Sequence, residues 1–180
     1  PGSAIGRRRM QVSTFRTRVA VAALLLITCG AAVAQQDGTC TSVILRDPPR
    51  TMIRCPGGLL IEAEAAARLQ ILAPASDGPP HAVRLDTKAV LIDLETSRPF
   101  QIRTPHAIAS VRGTLYAVDV SPGATEVFVV QGQVQVGRRT GPGTVLLRPG
   151  EGVDVSPGAP LTVRRWPRER VSRLLSRFGR

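Results

Sequence analysis

Residues 104–120, TPHAIASVRGTLYAVDV, contain the pattern that decides the fold. Small and apolar residues follow Thr104-Pro105, and the triplet Arg112-Gly113-Thr114 interrupts them. Apolar and polar side chains then alternate as far as Val120. Alternation over four to eight residues is typical of a half-buried β-strand. The stretch therefore predicts two strands joined at Arg112-Gly113-Thr114, and the join is either a structural corner or an arginine that grips an anionic ligand.

Arg112 is the residue that decides between these two interpretations. In an alternating strand its side chain falls on the core side, and a buried arginine requires an acidic partner. The candidate partners are Asp119, Glu126 and Glu151. We therefore expect a corner that Arg112 ties through an ion pair while Gly113 permits the bend.

Similar short strands are predicted from Thr41 to Val163. They are rich in β-branched residues and separated by Gly and Pro, which is typical of an all-β barrel, sandwich or roll. The segment IEAEAAARLQIL (61–72) contains alanines that would suit a helix, but its flanking Gly57-Gly58 and Pro74 favour strands. We predict an all-β, roll- or barrel-like stack of short strands with a C-terminal amphipathic helix.

Four glycines recur every nine residues in the second half of this region. Glycine adopts positive φ at no steric cost, so each one marks a turn. The spacing fits a stacked roll and a series of successive hairpins equally well. The glycines are Gly123, Gly132, Gly141 and Gly150.

Residues 164–180, RRWPRERVSRLLSRFGR, predict the C-terminal helix. Apolar residues fall at i, i+3, i+4 and i+7 from Val171 to Phe178, and a stripe of arginines lies beside them. The helix either covers an open end of the β-domain with its arginines in solvent, or presents a basic face to anionic lipid or an acidic partner. The candidate interaction residues are Arg170, Arg173, Arg177 and Arg180.

The amino-terminal residues predict an export signal. Residues 7–18 contain five arginines and no acid, residues 19–34 are uncharged, and Ala32-Val33-Ala34 is a small-x-small ending. These are the parts of a secretory signal peptide, with Met10 as the expected start and cleavage after Ala34. A lipoprotein signal is the alternative because of Cys29, although Thr28 precedes it. We expect a signal peptide at 1–34, a β-domain at 35–163 and the helix at 164–180.

Export makes the cysteines interpretable. Cys29 would leave with the signal peptide, so Cys40 and Cys55 remain as an even pair, the pattern expected of a disulfide in an exported protein. A closed loop of this length stabilises a fold by about 3 kcal/mol in the chain-entropy model. A redox or metal site would require C-x-x-C spacing or further ligands, and neither occurs.

The basic charge is concentrated at the two ends of the chain. The formal net charge is +11, but five arginines lie in residues 1–34 and seven in 162–180, where Glu169 is the single acid. The part between them is balanced. Aromatic residues make up only 3% of the chain, too few for a base-stacking surface, so we expect no nucleic-acid partner.

Residues for catalysis are scarce. His81 and His106 are the only histidines, and none of the common hydrolase, metalloprotease or phosphate-binding motifs occurs. Asp93 and Glu95 could form half of a carboxylate pair, but neighbouring acids at a strand end are more often solvated surface. We expect no enzyme activity, no cofactor and no metal.

Several motifs in one order resemble the FecR-type periplasmic domain. They are Thr104-Pro105 after a strand, the Val111–Thr114 corner, Asp119, the segment VVQGQVQV (129–136) with Gly132, and the closing Leu147–Glu151 with Gly150. The resemblance covers roughly 85–155. It implies a β-rich domain that faces the periplasm of a Gram-negative cell and acts by interaction rather than catalysis.

The resemblance also has limits. Regulators of this family that signal for iron uptake carry an anti-sigma segment and a membrane span ahead of the domain, which the leader and residues 35–84 do not resemble. We therefore expect the fold and an interaction role to transfer, but not transmembrane signalling. The first hypothesis is a periplasmic binding or adaptor module for an unknown protein or envelope polymer. The second is a structural protein docked on an anionic membrane surface through its basic helix.

Overall fold

The computed structural model describes Gly2, residues 40–72 and residues 79–180. The predicted signal peptide, including Met10, Cys29 and the cleavage site after Ala34, lies outside the described residues apart from Gly2. No helix in the described part of the chain is long and apolar enough to cross a membrane.

The all-β prediction is confirmed, and residues 61–72 contain strand and turn rather than helix. The C-terminal helix begins directly after Pro167, and Glu169 lies in its first turn, where proline and acidic residues are favoured. The elements are β1 (Thr41–Arg46), β2 (Pro49–Cys55), β3 (Leu59–Glu64), β4 (Arg68–Leu72), β5 (Ala82–Leu94), β6 (Phe100–Arg103), β7 (Ala107–Val111), β8 (Thr114–Ser121), β9 (Ala124–Gln131), β10 (Val134–Arg138), β11 (Thr144–Leu147), β12 (Glu151–Val155), β13 (Arg164–Arg165), α1 (Arg168–Leu175) and a short 3-10 helix (Ser176–Phe178).

Strand β5 belongs to two halves of one folded sheet. Lys88 interrupts its extended backbone with φ of 69°, in the left-handed region that side chains rarely adopt. Before Lys88, β5 pairs with β4 and, in parallel, with β6. After it, β5 pairs with β3 and β8. The first half-sheet is β1-β2-β3-β5-β8-β9-β12-β13, and the second half-sheet contains β4, β5, β6, β7, β10 and β11.

One aliphatic core lies between the inner faces of the two half-sheets. Ile92 and Val118 from the first half-sheet meet Ile102 and Val136 from the second, and all four are fully buried. Alternate residues of each strand point into this core, as the period-2 pattern predicts. The residues that point away from it on the first half-sheet form that half-sheet's outer face, which positions the candidate site.

The nine-residue glycine spacing marks turns of two kinds. Gly123 and Gly141 lie in hairpins, β8–β9 and β10–β11. Gly132 and Gly150 lie where the chain crosses between the half-sheets, because β9 pairs with β12 while β10 pairs with β7. The chain therefore forms a roll and not a series of successive hairpins.

The structure contains the Cys40–Cys55 disulfide, with an S–S distance of 2.05 Å. It joins the start of β1 to the end of β2, so the first hairpin is closed at its open end. The hairpin turn at the other end contains a cis peptide bond between Asp47 and Pro48.

Candidate functional site

The C-terminal helix lies on the outer face of the first half-sheet. Leu174 and Phe178 are buried there against Ala89, Leu91 and Ala117. These small and apolar residues alternate with core residues along β5 and β8, so both faces of these two strands are buried where the helix lies. The predicted apolar stripe is correct, but the helix covers a face of the β-domain and not an open end.

Trp166 anchors the start of this helical segment. Its ring stacks on Phe128 with centroids 5.1 Å apart, and the guanidinium of Arg170 lies 3.6 Å from the ring centroid. Gly152 is the residue opposite Phe128 on β12. A Cβ at Gly152 would lie 2.4 Å from the indole, so the ring fits only because position 152 has no side chain.

Four carboxylates form a row across the outer face, which we call the acidic row: Glu64, Asp119, Glu126 and Asp154. Asp119 is directly opposite Glu126, and Glu126 is opposite Asp154. Ala89 lies opposite Asp119 and donates its backbone N–H to Glu64 (3.1 Å). Like charges directly opposite each other destabilise a sheet, so this row needs cations.

Arg170 and Arg177 supply those cations from the helical segment. Each guanidinium bridges two members of the acidic row, and charge-assisted pairs of this kind are the stronger class of hydrogen bond. The pairs are Arg170 with Glu126 (3.0 Å) and Asp154 (3.2 Å), and Arg177 with Asp119 and Glu64.

The spacing of the two arginines matches the spacing of the strands. Arg170 and Arg177 are separated by about 11 Å along a helix that ends in a 3-10 turn. Adjacent strands lie about 4.8 Å apart, and the two carboxylate pairs are about two and a half strand spacings apart, or about 12 Å. The helix therefore crosses the strands so that one arginine lies over each pair.

Glu62 forms a third ion-pair centre beside the row. Its side chain is only 5% exposed, and it accepts hydrogen bonds from Arg180 (3.0 Å) and Arg50 (2.7 Å). A buried carboxylate is costly unless it is paired. Arg180 thus contributes to neutralising a buried acid on β3.

The titration behaviour of these groups reflects their pairing. Burial would raise the pKa of Glu64, but hydrogen bonds from Arg177 and the Ala89 N–H outweigh burial and hold that pKa below its usual value. Burial would lower the pKa of Arg170 and of Arg177, but their carboxylate partners raise both above the usual range. Glu64, Arg170 and Arg177 are therefore charged at neutral pH.

The predicted arginine stripe is thus largely engaged with the protein itself. Arg170, Arg177 and Arg180 have intramolecular ion pairs, contrary to the expectation of solvated arginines. Arg173 is exposed and has no ion pair within residues 40–72 and 79–180. Of the four stripe arginines that the sequence suggested for an anionic surface, Arg173 is the one without an ion pair among the described residues.

Arg112 does not form the predicted ion pair. Its side chain is exposed, because the strand ends at Val111 and the residue belongs to the turn. Asp119 and Glu126, two of its expected partners, pair with helix arginines instead, and Glu151 accepts a hydrogen bond from the backbone N–H of Arg148 (2.8 Å). In the described residues, no ion pair ties the corner at Arg112.

The corner is held by Gly113, Thr114 and Gly132. Gly113 has φ of 56°, and the Thr114 hydroxyl lies within hydrogen-bond distance of the Arg112 and Gln133 carbonyls (3.0 and 3.1 Å). Gly132 packs directly on this turn, because a Cβ there would lie 2.8 Å from both the Gly113 oxygen and the Thr114 hydroxyl. The Arg112-Gly113-Thr114 turn and the Gln131-Gly132 turn therefore pack directly against each other.

Thr104 and Pro105 form a second polar corner. The Thr104 hydroxyl accepts a hydrogen bond from the Ala107 N–H (2.9 Å) and lies 2.9 Å from the Thr125 hydroxyl. Thr125 also contacts Nδ1 of His106 at 3.1 Å. Thr104 and Thr125 are buried, so this network satisfies polar groups inside the core and orients His106.

The remaining candidate residues are dispersed. Gly150 has φ of 83° in the turn before β12, next to Glu151. Asp93 lies on β5, Glu95 is the first residue after that strand, and His81 is the residue before it. Within the described part of the chain, no group of three or more His, Cys, Asp and Glu side chains is arranged to hold a metal ion.

The acidic row was not identified from the sequence, although a signal for it exists. Its members alternate with core residues on β3, β8, β9 and β12, so each could have been assigned to an outward position. Four strands with an outward acid at one level predict a negative face. What that face contacts depends on the strand order, which the sequence does not reveal.

A family model described as FecR protein matches residues 50–135. The match begins and ends earlier than the stretch of roughly 85–155 on which the sequence resemblance rests. It includes three members of the acidic row, Glu64, Asp119 and Glu126, but neither Asp154 nor α1. None of the curated proteins matches the chain in sequence.

Two solved structures have a similar fold. Both are crystal structures of a candidate anti-sigma factor from Parabacteroides distasonis ATCC 8503. The first has a TM-score of 0.58 and 16% identity over 74% of this chain. The second has a TM-score of 0.53 and 17% identity over 76% of this chain. The chain spans 63% and 60% of their lengths, and at these identities the similarity concerns the fold alone.

Proposed function

Because a FecR family model matches residues 50–135, we propose that the chain is a FecR-type regulatory or adaptor protein whose β-domain binds a protein partner. The family match is the observation that carries the proposal. The structural neighbours support it, since an anti-sigma factor is by name a protein that acts on another protein. Binding, and not catalysis, is the role that this domain performs.

The proposed location is the periplasm, after cleavage of the signal peptide behind Ala34. The Cys40–Cys55 disulfide supports export, because disulfides persist in oxidising compartments and are rare in the cytosol. The mature protein then consists of the β-domain (35–163) and the helical segment (164–180) that covers its outer face.

Binding is assigned to the β-domain because the helix is already occupied. Its apolar stripe packs on Ala89, Leu91 and Ala117, and Arg170 and Arg177 neutralise the acidic row. Membrane docking through the apolar stripe, Arg170 and Arg177 would require the helix to leave the sheet and expose both surfaces. The alternative of a membrane-surface protein therefore has little support from the geometry.

The test uses the full chain, expressed in a Gram-negative host with its own leader. Arg173→Glu reverses the charge of the one stripe arginine that has no ion pair in the described residues, and leaves the helix contacts in place. Chemical cross-linking in the envelope, followed by capture at low and high salt, then compares wild type with this variant. The same samples give the amino terminus of the mature protein, which we expect to be Gln35.

The proposal predicts a cross-linked protein partner that survives high salt and is captured equally by both forms. Absence of any protein partner, together with envelope association that high salt or Arg173→Glu removes, would contradict it and favour the membrane-surface role. Recovery of the protein with residues 1–34 still attached would contradict the proposed processing.

A further inference from the structure

Strand β1 is an edge of the first half-sheet, and within residues 40–72 and 79–180 little protects it. It pairs with β2 alone among the described residues. An edge strand presents unpaired backbone N–H and C=O groups, and proteins usually guard such edges with charges, prolines or bulges. The interior of β1, Ser42–Leu45, contains no charge or proline, and its register with β2 is unbroken.

The apolar side chains of β1 are unusually exposed. Val43 is 60% exposed and Ile44 is 79% exposed. Successive residues of a strand point to opposite faces, so the two side chains extend both faces of the half-sheet beyond its core. A strand added beside β1 would cover part of both side chains and pair the free backbone groups.

The charged side chains around this edge are mostly arginines, with one exposed acid, Asp47, in the hairpin turn. Arg50 is occupied by Glu62, but Arg46 and Arg54 have no ion pair in the described part of the chain. Arg46 ends β1, and Arg54 lies opposite Thr41 at the other end of the strand. The Arg54 guanidinium lies 3.8 Å from Sδ of Met52 on its own strand. Its side chain is exposed and Thr41 is small, so the guanidinium can turn over Thr41 towards an added strand. The edge therefore has an apolar centre and a cation near each end.

We propose that β1 is the docking edge for an extended segment of the protein partner, with two successive apolar residues at its centre and a carboxylate near each end. The segment adds to the first half-sheet as a further strand. Backbone hydrogen bonds supply the affinity, and the end charges select the sequence. This inference rests on the proposed function and names the surface and the chemistry of the partner.

Fluorescent peptides of defined sequence provide the first test. The probe is Glu-Thr-Val-Val-Thr-Glu, its counterpart is Lys-Thr-Val-Val-Thr-Lys, and the readout is fluorescence anisotropy with the full chain. We expect the acidic peptide to bind at least about ten-fold more tightly, or about 1.4 kcal/mol, and to weaken with salt. Equal binding of the two peptides, or no binding of the acidic one, would overturn the proposal.

Ile44→Lys is the test variant, and Leu146→Lys is its matched control. Both residues are exposed apolar side chains on edge strands, with Leu146 47% exposed on β11. Since both point to solvent, the free energy of unfolding should change little in either variant. The proposal predicts loss of acidic-peptide binding by about ten-fold or more in Ile44→Lys alone. Equal effects of the two substitutions would refute it.

Two further outcomes separate this proposal from the proposed function. If wild type and Ile44→Lys capture the same envelope partner equally, the adaptor function stands and the β1 edge does not carry it. If sedimentation detects a dimer of the wild type that Ile44→Lys abolishes, the added strand comes from a second copy of this chain, and the proposed occupant is wrong.

Discussion

Arg177→Met removes the guanidinium that bridges Asp119 and Glu64 while keeping an unbranched side chain over the sheet. The side chains of Arg177, Glu64 and Asp119 are 27%, 22% and 24% exposed. Their ion pairs are therefore intermediate between a fully exposed pair and a fully buried one. Exposed ion pairs contribute up to about 1 kcal/mol, and breaking a buried pair costs about 3–5 kcal/mol. We expect the free energy of unfolding to fall by about 2 kcal/mol.

Trp166 is a local reporter for this experiment. It is the only tryptophan in the chain, and it lies where the helical segment meets Phe128. Urea titrations followed by Trp166 fluorescence and by circular dichroism of the strands measure helix release and sheet unfolding separately. A decrease of about 2 kcal/mol in the free energy of unfolding corresponds to about a thirty-fold change in the unfolding equilibrium constant, which is easily measured.

Arg173→Met is the matched control, because it makes the same chemical change on the same helix at a residue without an ion pair in the described residues. We expect its free energy of unfolding to lie within about 0.5 kcal/mol of wild type, as for most surface substitutions. Similar losses in Arg173→Met and Arg177→Met would refute the reasoning, because helix propensity or net charge would then explain both.

Three other predictions concern acid, a turn and the disulfide. The folded pKa of Glu64 lies below its unfolded value near 4.5. Glu64 therefore contributes to stability above pH 4.5, and this contribution is lost as the pH falls through the folded pKa. A fluorescence titration of Trp166 should show the loss of stability, and the Glu64→Gln variant should not show it. Gly132→Ala should lower the free energy of unfolding by about 2 kcal/mol more than Gly141→Ala. Both glycines have positive φ, but of the two only Gly132 contacts a neighbouring turn. Equal urea midpoints of the two variants would contradict this prediction. Replacing both Cys40 and Cys55 with serine should lower the free energy of unfolding by about 3 kcal/mol, and an unchanged urea midpoint would show that the loop is already constrained.

The local features of the fold could be predicted because they depend on short segments. Alternation identified the strands on either side of the Arg112-Gly113-Thr114 corner, and the i, i+3, i+4, i+7 pattern identified the stripe on α1. The even pair Cys40 and Cys55 indicated the disulfide. Each of these signals lies within about twenty residues of sequence. Each depends either on the spacing of apolar residues or on the number of cysteines.

The contacts of the arginine stripe could not be predicted in the same way. Arg177 pairs with Asp119, 58 residues earlier, and with Glu64, 113 residues earlier. These partners come together only because β3, β5 and β8 are neighbours, and strand order depends on tertiary packing. The exposed position of Arg112 was missed for a related reason, since the alternation ends at Val111 and the arginine belongs to the turn.

Hydrogen exchange of the backbone amides from Val171 to Phe178 tests the central claim most directly, because the account requires the helix to remain docked on the acidic row in the full-length protein. We predict protection in this segment comparable to that of β8 at neutral pH, falling selectively in Arg177→Met. Exchange of these amides at the rate of an unstructured peptide in the wild type would contradict the account and leave the helix free for an external surface.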